Sequence, residues 1–279
     1  MDLLWCFQNA HLVDFGEFSK KLVTLQNEFI PDIKKDNYKA TISGLWLKEK
    51  ENIYYFKTVG DFYSLLAELV GEKVSRYFGL ETVHYELAMG IDKDEKTLQG
   101  LASKYMVEEE VNYQSWKKYL EDKHFYGTGS VQDLKILDFF EQDFPDEPII
   151  SQTKAFFIRE LLTNEDDRLI HELLIAEKDK NISLGYLVDY ATECRLPHRY
   201  FLRVPFCYQL SLRDDAIVER IQNDEVFQFF VEKACLFEIK KVLKEIKEEK
   251  NLLIPKNLEE EFIQFFSKSQ SILKMYLKR

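Results

Sequence analysis

The sequence changes texture near residue 107, and that change constrains the fold more than any single motif. Before it, short runs of aromatic and β-branched residues alternate with turns; after it, apolar residues recur mainly at helical spacing. The stretch "YKATISGLWLKEKENIYYFKTVG" reads as two strands joined by the charged turn "KEKEN". "DFYSLLAELVGEKVSRYFG" then spaces Phe62, Leu65, Leu66, Leu69, Val70, Tyr77 and Phe78 as a helix does, with Asp61 to cap its start and Gly79 to end it. "TVHYELAMGI" and "LQGLASKYMVEE" read as strands around the turn "DKDEK". From about residue 108, "NYQSWKKYLEDKHF", "DLKILDFFEQ", "QTKAFFIRELL", "LRDDAIVERIQ", "DEVFQFFVEKACLFEIKKVLKEIKEEK" and "NLEEEFIQFFSKSQSILKMYLK" all read as helices. The expected class is α+β, with a small N-terminal α/β lobe over residues 1–107 and a larger, mainly helical lobe over 108–279.

A chain of 279 residues is long enough for two such lobes, and 46% hydrophobic residues with 22 Phe and 15 Tyr can fill their cores. The net charge of −11 argues against direct nucleic-acid binding, which needs clustered cations to displace counterions. Cys6, Cys194, Cys207 and Cys235 form no CxxC pair, and the five histidines show no metal-ligand spacing. Scattered cysteines suit reduced thiols. The N-terminus has no basic n-region or small-residue cleavage site, and no apolar run reaches the roughly 18 residues of a membrane span. A cytoplasmic protein with no membrane partner is expected.

Four residues suggest chemistry. Lys57 ends the aromatic run "YYFK", where its ammonium can point into a cleft and hold phosphate oxygens as a point charge. Glu68 in the next helix can supply the anion that fixes such a lysine. Asp167 follows the helix "KAFFIRELL", and Asp189 follows a short apolar strand at "GYLV". Phosphoryl transfer uses one carboxylate near the acceptor hydroxyl and another to hold magnesium on the phosphates. Taken singly, these are an ordinary surface lysine, a solvated glutamate, a helix cap and a turn residue. Their order carries the inference. An open cleft lysine would contribute little to stability, so Lys57→Met is expected to weaken ATP binding and leave the fold intact.

The sequence resembles the HipA-like bacterial serine/threonine kinases, whose fold is related to that of phosphatidylinositol kinases. "YYFKTVGD" resembles their nucleotide-lysine strand, and "AELVGEKVSRYFGLETVHYELA" their helix glutamate followed by a "GL" turn and a strand. "DDRLIHE" falls where the family has Asp-Arg-His-x-x-Asn, and "YLVDYATEC" where it has the metal-binding Asp. The likeness runs over roughly residues 36 to 270 and implies a bilobal protein-kinase-like fold that uses ATP and Mg²⁺ to phosphorylate a protein substrate. It makes Lys57 the phosphate-binding lysine, Glu68 its partner, Asp167 the catalytic base braced by Arg168, and Asp189 the principal magnesium ligand. Met106 and Val107 would meet adenine, and the loop around Ile42, Ser43 and Gly44 would cover the phosphates.

Two positions depart from that pattern. Leu169 replaces the histidine, and Glu172 stands where the second metal-binding asparagine belongs. Glutamate can bind Mg²⁺ but adds negative charge beside the γ-phosphate. His171 reads as packed or solvent-facing. Three functions therefore stand open: an active protein kinase, a degenerate kinase fold that binds nucleotide or protein, and a helical interaction protein presenting "KKVLKEIKEEK" and "NLEEEF".

Overall fold

The computed structural model describes residues 7–23, 44–105, 110–125, 134–145, 148–163, 173–187 and 215–278. The N-terminal part is a five-stranded sheet. Strand β1 (Leu12–Glu17) and a single helical turn α1 (Phe18–Lys21) come first, then the hairpin β2 (Gly44–Glu49) and β3 (Asn52–Thr58). Helix α2 (Phe62–Phe78) follows, and then β4 (Tyr85–Ile91) and β5 (Thr97–Lys104). The order across the sheet is β1-β4-β5-β3-β2, with β1 parallel to β4 and every other pair antiparallel.

Local chemistry explains these boundaries. The β4–β5 turn closes on Asp92, whose Oδ1 accepts from the Asp94 and Lys96 amides at 2.9 Å each. Helix α2 starts at Asp61, whose carboxylate accepts from Ser64 N at 2.8 Å, and it ends at Gly79 with φ 81°. Both caps match the sequence expectation. Loss of such an N-cap costs about 0.5–2 kcal/mol, so Asp61→Ala should lower the unfolding free energy from urea titration by an amount in that range.

Strand alternation sends successive side chains to opposite faces of the sheet. On one face Phe56, Ala88 and Ala102 join Phe15, Phe18 and Leu47 in a small separate cluster. On the other, Tyr85, Leu87 and Leu101 join α2 in the main core. Lys57 pairs with Leu101 across β3 and β5 and therefore shares the α2 face.

The rest is mainly helical, with two corrections. The run "DEVFQFFVEKACLFEIKKVLKEIKEEK", expected as one helix, is two, parted at residues 236–238. Residues 112–115 belong to strand β6 (Asn112–Ser115), and helix α3 (Trp116–Asp122) begins only after it. Strand β6 pairs with β7 (Leu174–Lys178), which turns into β8 (Asn181–Leu184) through Asp179 and Lys180, both at positive φ. Helices α4 (Leu134–Asp143), α5 (Pro148–Thr163), α6 (Asp215–Asn223), α7 (Glu225–Cys235), α8 (Ile239–Lys250) and α9 (Lys256–Leu273) complete the described chain, with a 3₁₀ turn at Lys274–Tyr276. Helix α5 lies against α2, α4, α7, α9 and β8. Its Lys154 meets Asp224, the N-cap of α7, at 2.6 Å. Burial works to raise the Asp224 carboxyl, but the Lys154 hydrogen bond and the Phe227 and Val226 amides hold it below the ordinary aspartate value. The charged run of α8 is half core, because Ile239, Leu243 and Ile246 are buried. Among the described residues no helix is long and apolar enough to cross a membrane.

Candidate active site

The site grows from β3 and α2. Register places Lys57 on the α2 face of the sheet, and the Asp61 cap sets the start of the helix seven residues before Glu68. Lys57 Nζ donates to Glu68 Oε1. Both groups are buried: Lys57 is 5% exposed and Glu68 0%. That corrects the expectation of an open cleft lysine. Desolvating two charges costs several kcal/mol per ion, and only close pairing repays it. The pair is therefore an interior element of the fold as well as a candidate phosphate holder.

Gly100 permits the approach of β5 to β3 at this point. A Cβ there would fall 2.0 Å from the Lys57 carbonyl oxygen. Gly44, at the head of β2, pairs directly with Lys57. Its open side is taken by Tyr55, whose hydroxyl lies 2.0 Å from where a Cβ would sit.

Sequence reasoning missed an aromatic group on this same face. Tyr55 lies two residues before Lys57, so the two side chains point the same way. Trp46 pairs with Tyr55 across β2 and β3, with ring centroids 5.0 Å apart and planes at 58°. Tyr105, just past β5, meets Trp46 edge-on at 5.7 Å and 82°. All three are half-buried. The signal was in the sequence as "LWL" and "YYF", but only strand register shows which of those rings lie together.

The next two turns of α2 are also polar on this side. Glu72 is 2% exposed; its Oε2 accepts from Tyr85 N at 2.9 Å, and its Oε1 meets His84 Nδ1 at 2.7 Å and Arg76 Nε at 3.2 Å. Ser75 Oγ accepts from Arg159 Nε of α5 at 3.1 Å.

The structure thus brings together Lys57, Glu68 and Gly44. Ser43, Met106, Val107, Asp167, Arg168, Glu172 and Asp189 lie outside the described residues, as do Ile42, Leu169 and His171. Residues flanking these positions are well anchored. Thr163 and Leu173 are both 0% exposed, and the Leu173 carbonyl accepts from Trp116 N at 2.9 Å. Leu187 donates its amide to the Glu81 carbonyl at 2.9 Å and accepts from Val83 N at 3.2 Å and Thr82 Oγ1 at 3.1 Å. Among the described residues, the apolar strand expected before Asp189 is an isolated bridge at Leu187 beyond β8. Among the described residues no three His, Cys, Asp or Glu side chains cluster as a metal site.

No protein-family model matches the sequence, and no curated protein matches it. Solved structures do. The proinflammatory kinase CtkA of Helicobacter pylori is similar over 95% of this chain and 96% of its own, with a TM-score of 0.60 at 12% identity. HipA of a Shewanella oneidensis MR-1 toxin–antitoxin system, solved with HipB and operator DNA, covers 80% of this chain and 57% of its own, at TM-score 0.44 and 9% identity. Fam20 from hydra, solved with sugar, covers 84% and 81% at TM-score 0.46 and 12% identity. The fold is protein-kinase-like: a small sheet-based N-terminal lobe and a larger, mainly helical C-terminal lobe. At 12% identity the likeness to CtkA is one of fold.

Proposed function

We propose that this chain is an ATP- and magnesium-dependent protein serine/threonine kinase of HipA-like type, which moves the γ-phosphate of ATP to a protein hydroxyl. The observation that supports it most is the buried Lys57–Glu68 pair, formed between β3 and α2 on the inner face of the sheet. A lysine held this way presents a fixed positive charge for phosphate oxygens, and phosphoryl transfer is chiefly a matter of positioning and charge stabilisation. The rings of Trp46, Tyr55 and Tyr105 support the same reading, because they gather aromatic groups against which a base could stack on the sheet face that carries Lys57.

In this reading residues 1–107 hold the nucleotide and 108–279 supply the catalytic lobe. Lys57, set by Glu68, holds phosphate oxygens, with Ser43 and Gly44 at the cover and Met106 and Val107 at the base. Asp167, braced by Arg168, orients the acceptor hydroxyl and takes its proton. Asp189 and Glu172 would hold Mg²⁺, which supplies charge neutralisation on the phosphates when bound. The acceptor is a protein serine or threonine, and the protein works in the cytoplasm. A second reading, a degenerate kinase that binds ATP without transferring phosphate, is favoured by Leu169 and Glu172 in place of the motif's histidine and asparagine.

The test is transfer of label from γ-labelled ATP, with Mg²⁺, to the full chain itself or to serine and threonine peptides. Transfer is the expected result. Nucleotide binding without transfer would select the second reading, and failure to bind any nucleotide would overturn both. Stacking a base on an aromatic side chain is worth about 1–3 kcal/mol, so Trp46→Ala should weaken ATP binding by that much in calorimetry.

A further inference from the structure

We propose that Ser75 and Arg159 are positioning residues for the Lys57–Glu68 pair, fixing the register of α2 so that Glu68 reaches Lys57. Their effect on phosphoryl transfer rests on the kinase reading above; their effect on Lys57 does not.

Helix α2 is mostly apolar on its buried side, yet Glu68, Glu72 and Ser75 are 0%, 2% and 0% exposed. Spacings of four and three residues put them on one stripe of the helix. Each meets a different element: Lys57 of β3, the Tyr85 amide and His84 at the entry to β4, and Arg159 of α5. An apolar interface alone tolerates small slides and rotations of a helix. Directional hydrogen bonds do not, since their strength falls steeply with angle and distance.

The hydroxyl of Ser75 is itself oriented. It donates to the Gly71 carbonyl at 2.8 Å, which leaves its lone pairs for the Arg159 Nε–H at 3.1 Å. Arg159 is 0% exposed, and its Nη1 donates to Glu160, itself 3% exposed. A buried Arg–Glu couple is weak evidence for stability, and setting register is among its best-attested uses. Arg159 also sits one turn before the end of α5, where Thr163 Oγ1 donates to the Arg159 carbonyl at 3.2 Å. One side chain thus ties the helix that carries Glu68 to the helix whose end precedes the segment containing Asp167.

The experiment is acetylation of the full chain with an N-hydroxysuccinimide ester, read lysine by lysine in mass spectrometry. Lys57 of the wild type should react slowly because it is buried. In Ser75→Ala its rate should rise about tenfold, the change implied by loss of one hydrogen bond to a charged group. Lys154 is the internal control: it is 6% exposed and paired with Asp224 and Glu141, neither of them a residue of α2. Its rate should not change. Ser75→Thr, which keeps the hydroxyl, should restore slow reaction at Lys57, and Arg159→Lys should fall between. If Lys57 and Lys154 rise together, or if melting temperature falls with Lys57 still protected, Ser75 is merely structural and the proposal is overturned. Where the wild type transfers phosphate, Ser75→Ala should raise the KM for ATP about tenfold with kcat retained, since apparent affinity falls with the fraction of competent molecules. A wild type that transfers nothing would count against the kinase reading and leave the Lys57 measurement in force.

Discussion

Replacing Glu68 with alanine is expected to destabilise the chain by about 3–5 kcal/mol, the cost of breaking a buried ion pair from one side. The reason is its burial: Glu68 is 0% exposed, and the Lys57 ammonium it faces is 5% exposed. Lys57→Met should be costly in the same way, because it leaves a buried carboxylate without the cation that faces it. This reverses what the sequence alone implies for a cleft lysine, whose loss should touch only ligand binding. The double variant Lys57→Met with Glu68→Leu is the decisive comparison. Replacing a buried pair by apolar groups of similar volume is often neutral or stabilising, so the double variant should recover most of the loss. Urea titrations of the four proteins measure this directly. Calorimetry with ATP should show weakened binding in all three variants, so stability and binding separate in one set of proteins. A Glu68→Ala cost below about 1 kcal/mol would mean that the pair is solvated after all.

How much of this was legible beforehand depends on the range of the interactions. Helix α2 was readable to its caps, because Asp61 and Gly79 act on backbone groups within a few residues. The β2–β3 and β4–β5 hairpins were readable for the same reason. Lys57 and Glu68, 11 residues apart, were readable as a pair but not as a buried one, since burial depends on elements such as α5 and α8 that pack on α2 from far along the chain. Strand β1 was missed because it pairs in parallel with β4, more than 70 residues away. Strand β6 was read as helix because its partner β7 lies some 60 residues on, and four residues carry too little period to announce a strand. Arg159 offered a signal that went unused: a charged pair, Arg159–Glu160, inside the nearly continuous apolar run "KAFFIRELL". In a helix buried all round, such a pair must have interior partners. Asp167, Arg168, Glu172 and Asp189 rest on motif order alone, because they lie outside the described residues.

Those residues carry the largest expected effect on activity. In the proposed reaction Asp167 orients the acceptor hydroxyl and takes its proton, and Asp189 holds the metal against the phosphates. Each acts on charge and position in the transition state, where loss of one major electrostatic contact costs roughly 10²–10³ in rate. Asp167→Asn and Asp189→Asn should each take phosphate transfer below detection while leaving the urea midpoint close to that of the wild type. ATP binding should separate them. Asp167→Asn should keep it, because a base contacts the acceptor, whereas Asp189→Asn should lose the Mg²⁺-dependent part. Glu172 then decides between the two readings of the fold. As a second metal ligand it adds a carboxylate oxygen, and Glu172→Ala should lower the rate. As a misplaced negative charge beside the γ-phosphate it hinders transfer, and Glu172→Asn should raise the rate by restoring the motif's asparagine. An inactive wild type made active by Glu172→Asn would mark a degenerate kinase one substitution from catalysis. Full activity in Asp167→Asn would remove that residue from the mechanism, because an amide cannot accept the proton that a carboxylate can.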